Sequence, residues 1–133
     1  MGRFSFPGTV TGATVANAVV VLGTPGSDLA GAVLSAITTH AAMNPTRGLA
    51  QIDLTGGSDD QRWFCNMVFA EGVAVLTTPR VDTFYGSEAT ELQASLNAAL
   101  AAVPDANTIR LMGFAGAGQG HPCVGLIISS PTP

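Results

Sequence analysis

The run Val19-Val20-Val21-Leu22-Gly23-Thr24-Pro25 recurs in modified form as Val73-Ala74-Val75-Leu76-Thr77-Thr78-Pro79. Each run is followed by glycine, serine and an acidic residue, at Gly26-Ser27-Asp28 and, after a short insertion over 80–85, at Gly86-Ser87-Glu88. β-Branched residues favour a strand, and the proline that ends each run cannot continue a strand ladder. We interpret the two runs as the first strands of two copies of one unit, with chance similarity as the alternative.

A four-residue spacing of apolar side chains predicts one helix in each copy, over about residues 28–42 and 88–102. Ser27 and Ser87 stand where N-caps are expected, and each precedes an acidic residue that suits the positive end of the helix dipole. The narrow apolar stripe of each helix, widened by alanines, suits packing on one face of a sheet. The stripes consist of Leu29, Val33 and Ile37 in the first helix and Leu92, Leu96, Leu100 and Val103 in the second.

Two apolar strand-like runs follow each predicted helix, and a glycine-rich stretch typical of a hairpin turn separates the two runs of each copy. The predicted fold class is therefore α+β: a tandem β-α-β-β repeat whose mixed sheet is backed by two helices, in a two-layer sandwich. The strand-like runs are 52–54, 63–70, 109–114 and 123–129, and the turns are 56–60 and 116–120.

The predicted organisation is a single domain over residues 1–133, because a chain of this length has room for one core. It divides into an extended N-terminal arm (1–14), repeat unit one (15–70), repeat unit two (71–129) and a tail (130–133). The boundaries follow the strand and helix patterns of the two copies, and the arm and the tail lie outside them.

The predicted arm carries two aromatic residues on one side. Phe4 and Phe6 point to the same face of any extended segment, and an arm of this kind packs against another surface. Arms that reach a neighbouring subunit add contact area to an oligomer. We therefore predict that Arg3, Phe4, Phe6 and Pro7 are interface residues.

Charge is scarce in this chain: 11% of its 133 residues are charged and 47% are hydrophobic, against about 25% charged in an average protein. The five basic residues are all arginine, and with nine acidic residues the net charge is −4. This excludes the basic footprint of a nucleic-acid or anionic-lipid partner, and no apolar run reaches the roughly 18 residues of a membrane span. A surface so poor in charge predicts self-association.

No catalytic, cofactor-binding or metal-binding residue is predicted. The two cysteines and two histidines, Cys65, Cys123, His40 and His121, lack the close pairs of a zinc site. Cys65 lies in an apolar run with no adjacent base, and we interpret it as a core residue. The glycine-rich stretch 116–120 is followed by a strand, whereas a phosphate-binding loop must lead into a helix.

Four of the five arginines lie near the ends of predicted strands, where the guanidinium fork suits buried or interfacial ion pairs. We expect carboxylates within the subunit or across an interface to be their partners. The arginines are Arg47, Arg62, Arg80 and Arg110, and the expected acidic partners are Asp53, Asp82 and Glu88.

The order β-α-β-β, twice, over about residues 19–129 resembles the tautomerase superfamily, including the macrophage-migration-inhibitory-factor type. The resemblance implies one sheet backed by two helices, with three subunits in a ring. Members of that family use an amino-terminal proline as the base, whereas this chain begins Met1-Gly2 and its first proline is Pro7. The resemblance therefore implies trimeric packing and carries no catalytic residue over.

Two functions are expected from these features. The first is a non-enzymatic structural protein of a virion, such as a phage capsid decoration (cement) protein, which fits the scarce charge and the aromatic arm. Its partners would be copies of itself, with a trimer favoured, and a larger assembly such as a major capsid protein. The alternative is a small, cytoplasmic, oligomeric tautomerase-like enzyme or ligand-binding protein, with a pocket between subunits near Arg62, His40 or His121.

Overall fold

The computed structural model describes residues 16–56, 62–116 and 123–131 of the chain. In these ranges the chain forms six strands and two helices, in the order β-α-β-β followed by β-α-β-β. We call residues 16–71 the first half and residues 80–131 the second half. The elements are β1 (Ala16–Gly23), α1 (Ser27–Met43), β2 (Arg47–Thr55), β3 (Trp63–Glu71), β4 (Arg80–Gly86), α2 (Ala89–Ala102), β5 (Asn107–Gly116) and β6 (Cys123–Pro131).

The described strands form two three-stranded antiparallel sheets. The first sheet has the order β1-β3-β2 and the second the order β4-β6-β5. The α+β class is confirmed, but the expectation of a single mixed sheet is wrong. In each half the last strand inserts between the other two and pairs antiparallel with both, so each half completes its own sheet.

The first strand of the second half is not where the sequence pattern suggested. Residues 73–76 form no strand, and the segment predicted to be an insertion is β4, which pairs with β6 along its whole length. The carbonyl oxygens of Val73 and Ala74 lie directly over Gly48, which has no side chain to block them. Residues 73–76 therefore cross β2 by their backbone and form no strand, and Leu76 packs against the main core.

Both helices form within two residues of the predicted bounds, but the serine caps are wrong. The N-cap positions are Gly26 and Glu88, and neither makes a side-chain cap hydrogen bond. Instead, a carboxylate of the first turn reaches back: Asp28 Oδ2 accepts the N–H of Thr24 at 2.8 Å. Glu91 Oε1 accepts the N–H of Ser87 at 2.8 Å in the same way. Each carboxylate therefore holds the segment that enters its helix, but it accepts an N–H that precedes the helix and does not cap the free N–H groups of the first turn.

The main core lies between the two sheets and beside α1. Leu29, Val33 and Ile37 of α1 are fully or almost fully buried in it. α1 contacts β1 and β4, and β2 contacts β5, so the second sheet packs over both α1 and the first sheet. The sheets contribute to this core from facing sides: Leu49, Leu54, Cys65, Met67 and Phe69 from the first sheet and Val124, Leu126 and Ile128 from the second.

A smaller cluster lies on the other side of the second sheet, where α2 packs. Phe84 and Ile127 are buried there, together with Ala99 of α2. Neither described helix is long and apolar enough to cross a membrane.

The two predicted hairpin pairings are confirmed, because β2 pairs with β3 and β5 pairs with β6. The turns themselves fall in 57–61 and 117–122, outside the described residues. β6 continues to Pro131, two residues beyond the predicted strand. Ser130 is therefore part of the sheet and not of a tail.

Candidate functional site

The predicted interface residues of the arm cannot be compared with the fold. Arg3, Phe4, Phe6 and Pro7 lie outside the described residues, and so does His121. The candidate sites below are therefore built from residues of the two sheets, of α1 and of α2.

A row of exposed apolar side chains runs along β5. The exposed fraction is 42% for Ile109, 52% for Met112 and 63% for Phe114. They lie on the same side of the second sheet as α2, because Met112 pairs with Ile127 and Ile127 packs against α2. α2 lies mainly over β4 and leaves this row uncovered. We call Ile109, Met112 and Phe114 the β5 face.

The first sheet has an exposed apolar surface on the side that faces away from α1. Val20 is 55% exposed, Leu22 is 37% exposed and Phe64 is 44% exposed. Leu22 pairs directly with Phe64 across the β1–β3 ladder, so the two side chains are neighbours. We call Val20, Leu22 and Phe64 the β1–β3 face. Large exposed apolar patches on a folded chain mark interaction sites.

A partly buried polar cluster lies where α1 ends against the first sheet. The His40 ring stacks on Phe69, with 3.7 Å between the ring centroids, and its Nε2 lies 3.1 Å from Asn17 Oδ1. Arg47 Nη1 donates to the same Asn17 oxygen at 3.2 Å. Arg47 Nε also donates to Glu71 Oε1, in an ion pair of 3.2 Å. The cluster thus ties β1, β2 and β3 to the last turns of α1.

These contacts select one tautomer of the neutral His40 ring. Because Asn17 Oδ1 accepts from Arg47, the Nε2 of His40 must donate to that oxygen, and Nδ1 of the neutral ring carries the lone pair. Nδ1 is buried without a hydrogen-bond partner among the described residues. Burial, and next the positive charge of Arg47, lower the pKa of His40. His40 is 6% exposed, so the ring serves packing and does not present a base to solvent.

A half-open cavity of about 350 Å³ lies where β2 meets β5. Its lining is mostly apolar and includes Leu49, Leu76 and Leu111, with Arg110 as its charged residue. Arg110 Nε donates to Ser130 Oγ and Nη2 donates to the Pro131 carbonyl, both at 2.9 Å. The guanidinium is thus engaged at the end of β6, and His40 is not part of the lining.

Neither cysteine is poised for chemistry. Cys65 is fully buried, as predicted, and burial, helped by the charge of Asp53, raises its pKa to about 12. Burial also raises the pKa of Cys123, and both cysteines are free thiols. In the described ranges, no group of three or more His, Cys, Asp or Glu side chains is placed to hold a metal ion.

One predicted ion pair of the arginines is confirmed. Arg80 Nε lies 2.9 Å from Asp82 Oδ2, and Arg80 also donates Nη2 to Asp82 Oδ1 at 3.1 Å. Arg47 pairs with Glu71, which was not among the expected partners. Arg47 and Glu71 are direct partners across the β2–β3 ladder. The sequence alone does not predict this contact, because it depends on which strands pair in the sheet and in which register.

The β5 face was not identified from the sequence because β5 has a register shift between Ile109 and Leu111. β2 has a similar shift between Leu49 and Gln51. A strand without the shift would put Ile109 and Leu111 on one side. With the shift, Ile109 shares a side with Met112 and Phe114, while Leu111 points into the main core. Alternation along the sequence gives no sign of this change of side.

No protein-family model matches the chain, and no curated protein and no solved structure matches it either. The function is therefore inferred from this chain's own residues and geometry.

Proposed function

We propose that the chain is a non-enzymatic structural protein that assembles through its own surfaces. Its most concrete role is that of a virion component, such as a phage capsid decoration (cement) protein that stabilises a capsid through subunit contacts. The observation that carries the proposal is the β5 face, in which three large apolar side chains of one strand are 42–63% exposed.

The corresponding strand of the first half supports this proposal. Leu49 and Leu54 of β2 are 6% and 4% exposed because the second sheet packs over them. The β5 face has no such cover within the described chain. Burying an aliphatic or aromatic side chain completely stabilises by about 1.5–3 kcal/mol, so covering three half-exposed ones favours association by about 3 kcal/mol.

A tandem β-α-β-β repeat is part of the proposal, with each unit a two-layer sandwich of one sheet and one helix. Both halves have a register shift at the same place, between Leu49 and Gln51 and between Ile109 and Leu111. Equal irregularities in two otherwise regular strands support one structural unit used twice.

The proposed partners are copies of this chain, as a homotrimer, and a larger protein assembly such as a major capsid protein. The trimer stays a prediction from the resemblance to the tautomerase superfamily, whose single sheet this chain does not form. The arm residues Arg3, Phe4, Phe6 and Pro7 stay a predicted interface. Scarce charge supports such contacts, because the centres of stable interfaces exclude charged side chains.

Light scattering on the full chain and on a chain lacking residues 1–7 tests the assembly. We expect the full chain to have three times the chain mass of 13.4 kDa. The deletion should keep the circular dichroism of the full chain and lose mass. A monomeric full chain would overturn the proposed function, and an unchanged mass after deletion would overturn the role of the arm.

The virion role has its own test, which is mass spectrometry and immunogold labelling of purified phage particles that encode the chain. We expect the chain at a fixed copy number on the outer surface of the capsid. Particles that lack the chain would overturn the virion role while leaving self-assembly in place.

The alternative function is a tautomerase-like enzyme or ligand-binding protein, predicted with a pocket between subunits near Arg62, His40 or His121. The cavity that could serve it here lies within one chain, beside Arg110. A pocket of about 350 Å³ suits a small ligand. Turnover of keto–enol substrates by the wild type, with loss on substituting Arg110 by alanine, would favour this alternative. Undetectable turnover would remove it.

A further inference from the structure

We propose that the cavity where β2 meets β5 binds a small aliphatic carboxylate, with its hydrocarbon part against the leucines of the wall and its carboxylate on Arg110. The inference goes beyond the proposed assembly and does not depend on it, because the cavity lies within one chain. It names a class of ligand, and binding of that ligand requires no turnover.

Irregularities in two strands build two walls of the cavity. Ala50 is skipped in the pairing of β2 with β3, and Arg110 is skipped in the pairing of β5 with β6. The consecutive residues Leu49 and Ala50 both line the cavity, and so do Arg110 and Leu111. Consecutive side chains of a regular strand point to opposite sides of the sheet, so each pair depends on its register shift. In β5 the shift thereby brings a charged side chain to an otherwise apolar wall.

The segment that follows β3 forms a further wall. Val73, Ala74 and Leu76 line the cavity where this segment crosses β2 over Gly48. Apart from Arg110, the described residues of the lining have aliphatic side chains. An apolar pocket with a few polar groups at defined positions is the usual form of a small-molecule site.

The guanidinium of Arg110 is held along one of its edges. Nε donates to Ser130 Oγ and Nη2 donates to the Pro131 carbonyl, both at 2.9 Å. Ser130 is 1% exposed, so this anchor lies in the packed interior of the sheet. The planar group has five N–H donors, and the two that Ser130 and Pro131 accept leave the edge formed by Nη1 and the second hydrogen of Nη2.

This second edge suits a carboxylate. It presents two parallel N–H donors, which match the two oxygens of a carboxylate in a bidentate pair. Within residues 16–56, 62–116 and 123–131, Arg110 forms no ion pair with an acidic side chain. An anionic ligand would therefore supply the counter-charge that Arg110 lacks among these residues.

The size of the cavity sets the length of the hydrocarbon part. A water molecule occupies about 30 Å³ of the liquid, so about 350 Å³ has room for roughly ten to twelve non-hydrogen atoms. The aliphatic wall favours a hydrocarbon chain, and Arg110 favours a carboxylate at its end. Octanoate has this size and this chemistry.

Isothermal titration calorimetry of the full chain at neutral pH tests the proposal with two probes, octanoate and 1-octanol. We expect one octanoate to bind per chain, about ten-fold or more tightly than octanol, because the alcohol cannot form the charged pair. Arg110→Met removes the charge and keeps an apolar side chain. It should weaken octanoate about ten-fold or more and leave the affinity for octanol unchanged.

Arg80→Met is the matched control. Arg80 lies on β4, the other edge strand of the same sheet, and pairs with Asp82 outside the cavity lining. This variant should bind octanoate like the wild type. Circular dichroism checks the fold of each variant. If Arg110→Met does not fold, Ala50→Phe fills the cavity from β2 and leaves Arg110 in place, and it should weaken both probes.

Nuclear magnetic resonance of the methyl groups locates octanoate on the wild type. We expect the signals of Leu49 and Leu111 to shift on titration, because both residues line the cavity. The signals of Leu92 in α2 and of Met112 in the β5 face should stay in place. Shifts confined to Met112 would show adsorption to the β5 face and would overturn the proposal.

Three calorimetric results would also overturn it: no saturable binding of octanoate, equal affinity for octanoate and octanol, or a folded Arg110→Met chain with wild-type affinity for octanoate. Each would leave self-assembly untouched, because light scattering measures that separately. A monomeric chain that binds octanoate would overturn the proposed function alone.

Discussion

The two halves of the molecule have the same order of elements and very different burial. Leu29 and Val33 of α1 are fully buried, and Ile37 is 2% exposed. α2 has leucines at the same spacing, Leu92, Leu96 and Leu100, yet they are only partly buried, and Ala99 is its buried residue. The difference arises because α1 has a sheet on two sides, whereas α2 has a sheet on one side only. An apolar stripe thus predicts a helix and the side that packs, but not how many layers will cover it.

Equivalent leucines in the two helices should differ most in their contribution to stability. We expect Leu29→Ala to lower the free energy of unfolding by about 3–4 kcal/mol, because it opens a cavity in a site enclosed on all sides. Leu92→Ala, at a partly exposed site, should cost about 1–2 kcal/mol. Urea unfolding of the two variants at low protein concentration measures both values. Equal losses would contradict the difference in burial.

Acid should weaken the first half through His40, a buried titratable residue in the last turn of α1. Because the folded chain lowers the pKa of His40 below 6.5, the unfolded chain binds more protons as the pH falls past that value. Stability is therefore lost below about pH 6.5, by at most about 1.4 kcal/mol per pH unit.

Urea unfolding at several pH values from 7 to 5 measures the loss. His40→Val, which removes the titratable ring, should flatten the dependence over this range even if it lowers stability overall. A variant with the slope of the wild type would show that His40 is not the source.

Substitutions at the starts of the two helices should change the stability of the chain by similar amounts. Asp28→Asn and Glu91→Gln each remove the charge that accepts an N–H before the helix. We expect each to cost about 0.5–1 kcal/mol, the usual size of a capping contribution. Thermal unfolding at neutral pH compares the two. A cost at one helix and none at the other would contradict the proposal that one unit is used twice.

Local patterns in the sequence predicted what depends on neighbours along the chain. The helices, the two hairpin pairings and the burial of Cys65 were predicted correctly, because periodicity and turn residues determine them. β4 was missed because the apolar run 73–76 resembles a strand in sequence, whereas its backbone crosses β2 over Gly48. The polar cluster was also missed, since Asn17, His40 and Arg47 meet only after the first sheet and α1 have packed.

The proposed assembly requires that the β5 face is covered when copies meet. Oxidation of methionine by dilute hydrogen peroxide tests it, because Met112 lies in that face at 52% exposure and Met43, at 76%, lies outside both faces. Mass spectrometry of peptides from the native chain, treated over a range of protein concentrations, measures both rates. We expect oxidation of Met112 to slow as concentration rises while that of Met43 stays constant. Equal rates at Met112 at every concentration would contradict the claim.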